Sequence, residues 1–333
     1  MGPPFRQRRY FYYLSGVDFE DCTLAYDIGR DHLQLFIPPV NRRTVVWMGT
    51  TPGIEECEEK YDVDEVALTT DINEYILQWL QNSGVRRKIY VLHSDQCPPL
   101  FDSGNYSNIN EILNTDLLQP AMDSARVTKT EHEIKLLRIA NKITAAAHLS
   151  VLKGIRRFKN ESEIEATFLA TCVAAQAKHQ SYNIIAASGE NPSILHYSKN
   201  DECLDGRQLV CLDAGCEWQC YASDVTRTFP ISGRYSKEAK AIYDIVASAQ
   251  EGYICQMKPG ASFHDLNRGV DIALTKGLLE VGLLRNGSIE ECLAVGVQAA
   301  FFPHGVSLCF YVVILSSDLL SKSSKLLDIL TYR

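Results

Sequence analysis

No G-x-G-x-x-G stretch and no P-loop pattern occurs in the chain, which removes the two commonest nucleotide-binding readings. G-x-S-x-G is missing too, because Ser188-Gly189 does not supply it, and a nucleophile-elbow hydrolase is disfavoured. Long apolar runs are wanting: the stretch from Leu308 to Leu315 falls well short of the ~20 residues that span a bilayer, so no membrane anchor is expected. Positive charge does not predominate either, with 33 Lys and Arg against 41 Asp and Glu. A formal net charge of −8 offers no broad basic field and argues against nucleic acid as the main partner. The one basic cluster, Arg6 to Arg9, runs straight into YFYYLSG and reads as strand-flanking rather than as a localisation patch.

Cysteine is not scarce, but a count of 11 is odd and the residues are scattered; with no charged-then-apolar leader at the start, a reducing cytosol is expected. Cys216 and Cys220 have no second Cys/His pair at a matching spacing, so they are not read as zinc ligands. With 333 residues, 46% hydrophobic and 22% charged, the chain can fold as two soluble domains or one large one.

The first part, to about residue 122, reads as α/β: YFYYLSG, CTLAYDI, HLQLFIPP and TVVWMG as strands, INEYILQWLQNSG as a helix, KIYVLH as a strand. A junction is expected near residues 115 to 127, where Asn, Asp, Ser and Pro120 gather. Longer helices follow. TKTEHEIKLLRIANKITAAAHLSVLKG carries Glu131 and Glu133 in its first turn and Gly154 past its end. Asn160 and Glu163 have capping-box spacing ahead of Ile164, Phe168 and Cys172, which opens a second helix to about Lys178. Ser236 opens a third, to about Gln256, and Ser262 a fourth, to about Gly282. Packed over strands at 182–187 and 209–230, these helices predict an α+β second half.

Asp213 and Asp224 stand in LVCLDAGCEWQCYASDVTRTFP, residues 209–230. A hairpin centred on Trp218-Gln219 would set them opposite each other on one face. Like charges so placed repel unless a cation lies between them or a proton is shared, which points to a divalent metal. On spacing alone, two solvent-facing aspartates in another register remain the alternative. His196, in SGENPSILHYSKND, and His304, in AAFFPHG, have the chemistry to transfer a proton or orient a carbonyl near neutral pH. Each also reads as a hydrogen-bonded structural histidine.

Together, FRQRRYFYYLSG, ILHY, LDAG…YASDVTRTFP and FFPHG resemble the fungal Xaa-Pro aminopeptidases and prolidases of the pita-bread metallopeptidases, over roughly residues 4 to 305. The resemblance implies a partial pita-bread domain, 123–305, behind a smaller aminopeptidase P-like α/β domain, 1–122, with 306–333 an unrelated tail. It implies two manganese ions, peptides with proline in second position as substrates, a cytoplasmic setting and a homodimer. It makes Asp213 and Asp224 metal ligands, Thr226 a partner that orients the neighbouring carboxylate, and His196 and His304 substrate-side histidines. A ligand histidine would fall where the chain has Leu308, and two ligand glutamates would come later, beyond Glu291, the last glutamate present. At most two of five ligands are therefore expected, and a chain inactive as it stands. A non-catalytic isoform that binds a partner subunit is the alternative, and a creatinase or methionine aminopeptidase relative a third reading. Val306-Ser307 is compatible with translation through a splice donor.

Overall fold

The computed structural model describes residues 5–81, 88–93, 96 and 112–301. The chain divides into two units, Met1–Thr130 and Glu131–Arg333.

In the first unit, β1 (Thr23–Asp27) and β2 (His32–Ile37) form an antiparallel pair, and β3 (Glu65–Leu68) lies parallel to β2 on its other side. Leu35 and Ile37 of β2 face one hydrophobic cluster with Val17, Cys57 and Val66, while Phe36 faces another with Ile72 and Ile76. Alternate residues of a central strand thus feed two faces, as a pleated strand covered on both sides must. YFYYLSG and TVVWMG, expected as strands, are helices: α1 (Arg9–Ser15) and α2 (Arg42–Met48). Gly16 closes α1 in the left-handed conformation, its N–H donating to the Tyr12 carbonyl. The Asn41 side chain accepts from the Arg43 N–H to open α2. Next come α3 (Ile54–Lys60) and α4 (Ile72–Gln81), the latter where INEYILQWLQ predicts a helix. Of KIYVLH only Ile89–Tyr90 (β4) is strand, parallel to β5 (Leu113–Asn114), and α5 (Leu118–Val127) completes the unit.

The second unit opens with α6 (Glu131–Gly154) and α7 (Glu161–Ala174). The Asn160/Glu163 capping box forms as expected, and α7 ends four residues before Lys178 because the backbone turns at Gln176, φ 66°. Leu209–Asp213 (β8) is the middle strand of an antiparallel sheet, between Ile185–Ser188 (β7) and Thr226–Pro230 (β11). A second sheet joins His179–Gln180 (β6), Cys216–Trp218 (β9) and Tyr221–Ala222 (β10). Ala147 and Val151 of α6 and Ile164, Phe168 and Cys172 of α7 pack on Ala186, Val210, Leu212, Ala214 and Cys216. Every residue of β8 is buried, so the strand is covered on both faces. The last long helices, α8 (Lys237–Gln256) and α9 (Phe263–Glu280), start at Ser236 and Ser262, whose hydroxyls accept from the Ala239 and Asp265 N–H groups as the sequence predicts. Short α10 (Ile289–Ala294) follows. Among the described residues no helix is long and apolar enough to cross a membrane.

Candidate metal centre

The hairpin that carries both aspartates turns one residue later than expected. Gln219 and Cys220 both have positive φ, 46° and 64°, and Trp218 pairs with Tyr221. That is the backbone of a tight hairpin turn matched to strand twist. The register therefore sets Asp213 opposite Thr226 rather than opposite Asp224. Because side chains alternate with a period of two, this two-residue offset between partners keeps the aspartates on one face, as diagonal neighbours.

Their convergence is seen at Tyr182. Its hydroxyl lies 2.6 Å from Asp213 Oδ1 and 2.8 Å from Asp224 Oδ1. A phenol has one hydrogen, so it cannot donate fully to two carboxylates at once. Burial, followed by the charge of Asp213 and the hydrogen bonds to both carboxylates, pushes the Tyr182 pKa far above its ordinary value, so the group stays a neutral donor. Asp213 is buried and Asp224 exposed. Two carboxylates gathered around one oxygen, one of them out of water, form a donor set that fits a hard divalent cation. Among the described residues no three of His, Cys, Asp and Glu converge as a metal-ion donor set.

The approach of the two arms depends on Gly215. A Cβ there would sit 1.9 Å from the Ser223 carbonyl oxygen, so no side chain fits between the strands. The ladder stays closed across this point through Ala214 N–H to the Val225 carbonyl and Ser223 N–H to the Cys216 carbonyl. Thr226 is buried opposite Asp213, and its hydroxyl has no hydrogen-bond partner among the described residues. A hydroxyl left over beside a carboxylate in a buried place is a further sign of polar chemistry there.

His196 is exposed, in a turn that follows the 3₁₀ segment Asn191–Ser193. Among the described residues it does not hydrogen-bond to either aspartate. His304 and the tail 306–333 lie outside the described residues. Tyr197, next to His196, ties the turn down by donating to Glu161 Oε2 at 2.7 Å. Glu161 is fully buried, and Oε1 also accepts from Ser188 N–H, Ser188 Oγ and Asn191 Nδ2. Burial works to raise the Glu161 carboxyl, but the bonds from Ser188, Tyr197 and Asn191 together outweigh it and hold its pKa below the ordinary value. Neither Tyr182 nor Glu161 was singled out by sequence reasoning. Glu161 follows the capping residue Asn160, a position that looks like ordinary first-turn acidity.

Residues 135–310 match metallopeptidase family M24, and residues 1–90 match the N-terminal domain of aminopeptidase P. A probable Xaa-Pro aminopeptidase of Botryotinia fuckeliana is 49% identical over 92% of this chain and 56% of its own length. One of Colletotrichum graminicola is 48% identical over 92% and 57%. The chain thus spans a little over half the length of these relatives. Among solved structures, the low-pH form of E. coli aminopeptidase P superposes with a TM-score of 0.78 at 29% identity, over 95% of this chain and 74% of that one. Its zinc-substituted form in complex with product gives 0.77 at 30%, over 94% and 74%.

Proposed function

The chain belongs to metallopeptidase family M24, and from that premise we propose that its paired aspartates are part of a two-manganese site for cleaving the peptide bond that precedes a proline in second position. The observation that carries this reading is the meeting of Asp213 and Asp224 at the Tyr182 hydroxyl. Two carboxylates held this close by separate arms of a hairpin repel each other unless positive charge compensates them. Asp213 and Asp224 would hold the cation, which when bound supplies Lewis acidity and an ionised water near neutral pH. Tyr182 donates to whichever carboxylate oxygen is left over, and Thr226 presents its spare hydroxyl beside Asp213. His196, exposed in its anchored turn, would meet a peptide rather than the metal, and His304 would take a similar role by its motif. Scattered cysteines outside disulfides support a reducing cytosol as the setting, and the relatives' naming as Xaa-Pro aminopeptidases supports peptides as the substrate class.

Two carboxylates supply too few donors for two dications, so the chain by itself binds manganese incompletely and is catalytically silent. Calorimetric titration of the whole chain with Mn²⁺, alongside hydrolysis of Gly-Pro and Ala-Pro-Pro, tests both halves. Saturable binding that Asp213→Asn abolishes, without turnover, is the expected result. Failure to bind Mn²⁺ overturns the metal reading, and stoichiometric uptake of two ions with turnover overturns the silence.

A further inference from the structure

One face of α6 is turned entirely toward the backbone between the two aspartates. Ala140, Thr144 and His148 recur every four residues, which stacks them along one side of the helix. The Ala140 carbonyl accepts from the Cys216 thiol at 3.5 Å. Thr144 Oγ1 accepts from the Cys216 N–H at 3.0 Å and lies 2.7 Å from Ser223 Oγ. Ser223 Oγ donates its single hydrogen to the Cys216 carbonyl at 2.8 Å, so Thr144 is the donor between the two hydroxyls and shares its own hydrogen with Cys216 Sγ at 3.4 Å. His148 Nε2 lies 3.1 Å from the Ala214 carbonyl, which only accepts, so the ring carries its hydrogen on Nε2. Nδ1 is buried without a partner among the described residues, consistent with a neutral ring whose pKa burial has lowered. Phe168 meets the ring edge to face at 5.3 Å and fixes its plane.

The attachment points decide what this stripe does. Ala214 follows Asp213 directly, Ser223 precedes Asp224 directly, and Cys216 pairs across the ladder with Ser223. One rigid helix therefore holds both arms of the hairpin on the aspartate-flanking peptides, at the point where Gly215 lets them close. We infer that Thr144 and His148 are positioning residues that set the spacing of Asp213 and Asp224 for a divalent cation. This rests on the metal reading above. Side chains that hold ligands in place without touching the ion control affinity by about 10- to 100-fold in metal sites generally.

The test uses the full chain, with Mn²⁺ affinity measured by calorimetry for wild type, Thr144→Val, Thr144→Ser, His148→Phe and Val210→Ala. Val210 is buried in the same core but makes none of these bonds, so its variant reports loss of stability alone. Affinity about tenfold weaker or more in Thr144→Val and His148→Phe, recovery in Thr144→Ser and wild-type affinity in Val210→Ala are expected. Equal affinity in all variants, or equal weakening in Val210→Ala, overturns the inference while leaving the metal reading intact. If wild type itself binds no Mn²⁺, the metal reading fails, and amide exchange by NMR decides what remains. Exchange at Ala214 and Cys216 at least about tenfold faster in both variants, with the β7–β8 ladder unchanged, supports positioning; unaltered exchange refutes it.

Discussion

Replacing Glu161 with glutamine exchanges one oxygen for an NH₂ group and removes a charge from a buried place. The carboxylate is 0% exposed and takes five donated hydrogen bonds, from Ser188 N–H (2.7 Å), Ser188 Oγ (2.6 Å), Asn191 Nδ2 (2.8 Å), Tyr197 OH (2.7 Å) and Glu202 N–H (3.2 Å), with Arg207 Nη1 at 3.6 Å. An amide keeps one acceptor oxygen. If that oxygen takes the Oε1 place, the new NH₂ faces the Glu202 N–H, a donor against a donor, while Tyr197 has to turn its hydroxyl around. Bonds to a charged acceptor contribute about 1.5–3 kcal/mol against about 0.5–1.5 for neutral ones, and a buried donor without a partner costs about 1–3. Because bonds sharing one acceptor do not add fully, the sum is about 3–5 kcal/mol, the size of breaking a buried ion pair. For a unit of this size that corresponds to a fall of roughly 6–20 °C in Tm. The assay is thermal and urea denaturation of wild type and Glu161→Gln at neutral pH and in acid. With a folded pKa below the unfolded one, the carboxylate's contribution is present in full above the ordinary carboxylate range. It is lost as pH falls from that range through the depressed folded value. The gap between the two proteins should therefore close in acid. A difference below about 1 kcal/mol at neutral pH, or a gap that persists in acid, refutes the reasoning.

Gly215→Ala should destabilise the second unit by about 3 kcal/mol, since its Cβ would fall 1.9 Å from backbone at Ser223, and should abolish Mn²⁺ binding; urea denaturation and calorimetry check it. Tyr182→Phe should cost about 1.5–3 kcal/mol without metal, by stripping Asp213 of a buried donor, with the deficit shrinking when Mn²⁺ is added to both proteins in a thermal melt. Phe168→Ala should cost about 3–5 kcal/mol in urea, because the ring is fully buried between α6, α7 and β8 and leaves a cavity.

The helices of the second unit were legible because their signals are local. Asn160 with Glu163, Ser236 and Ser262 each announce a start through a side chain that reaches its own first turn. YFYYLSG was misread for the opposite reason. Its aromatics favour strands, but Phe11 and Ser15, four apart, turn to one side and Gly16 closes the turn behind them, so burial outweighs propensity. TVVWMG is likewise helical although Val46 and Trp47 stay exposed, with Asn41 holding its first turn. At the site, the motif gave both aspartates. The register escaped because neither Gln219 nor Cys220 is a residue that advertises a left-handed turn. Tyr182 and Glu161 are fixed by partners about 30 residues away, and no spacing rule reaches that far.

The two aspartates differ in a way that matters to any ion they hold. Asp213 ends a strand buried along its whole length, so its charge has lost most of its water, and Tyr182 donates a hydrogen bond to it. Asp224 is itself exposed, and solvent still stabilises it. The cost of a charged site without a cation therefore falls chiefly on Asp213. Asp213→Asn should then stabilise the metal-free chain, or leave it unchanged, while removing Mn²⁺ affinity; Asp224→Asn should weaken binding with little effect on folding. Melting temperatures of the two variants, each with and without Mn²⁺, distinguish these outcomes. If Asp213→Asn lowers stability in the absence of metal as much as in its presence, the carboxylate is a structural acceptor for Tyr182 and not a ligand kept under electrostatic tension.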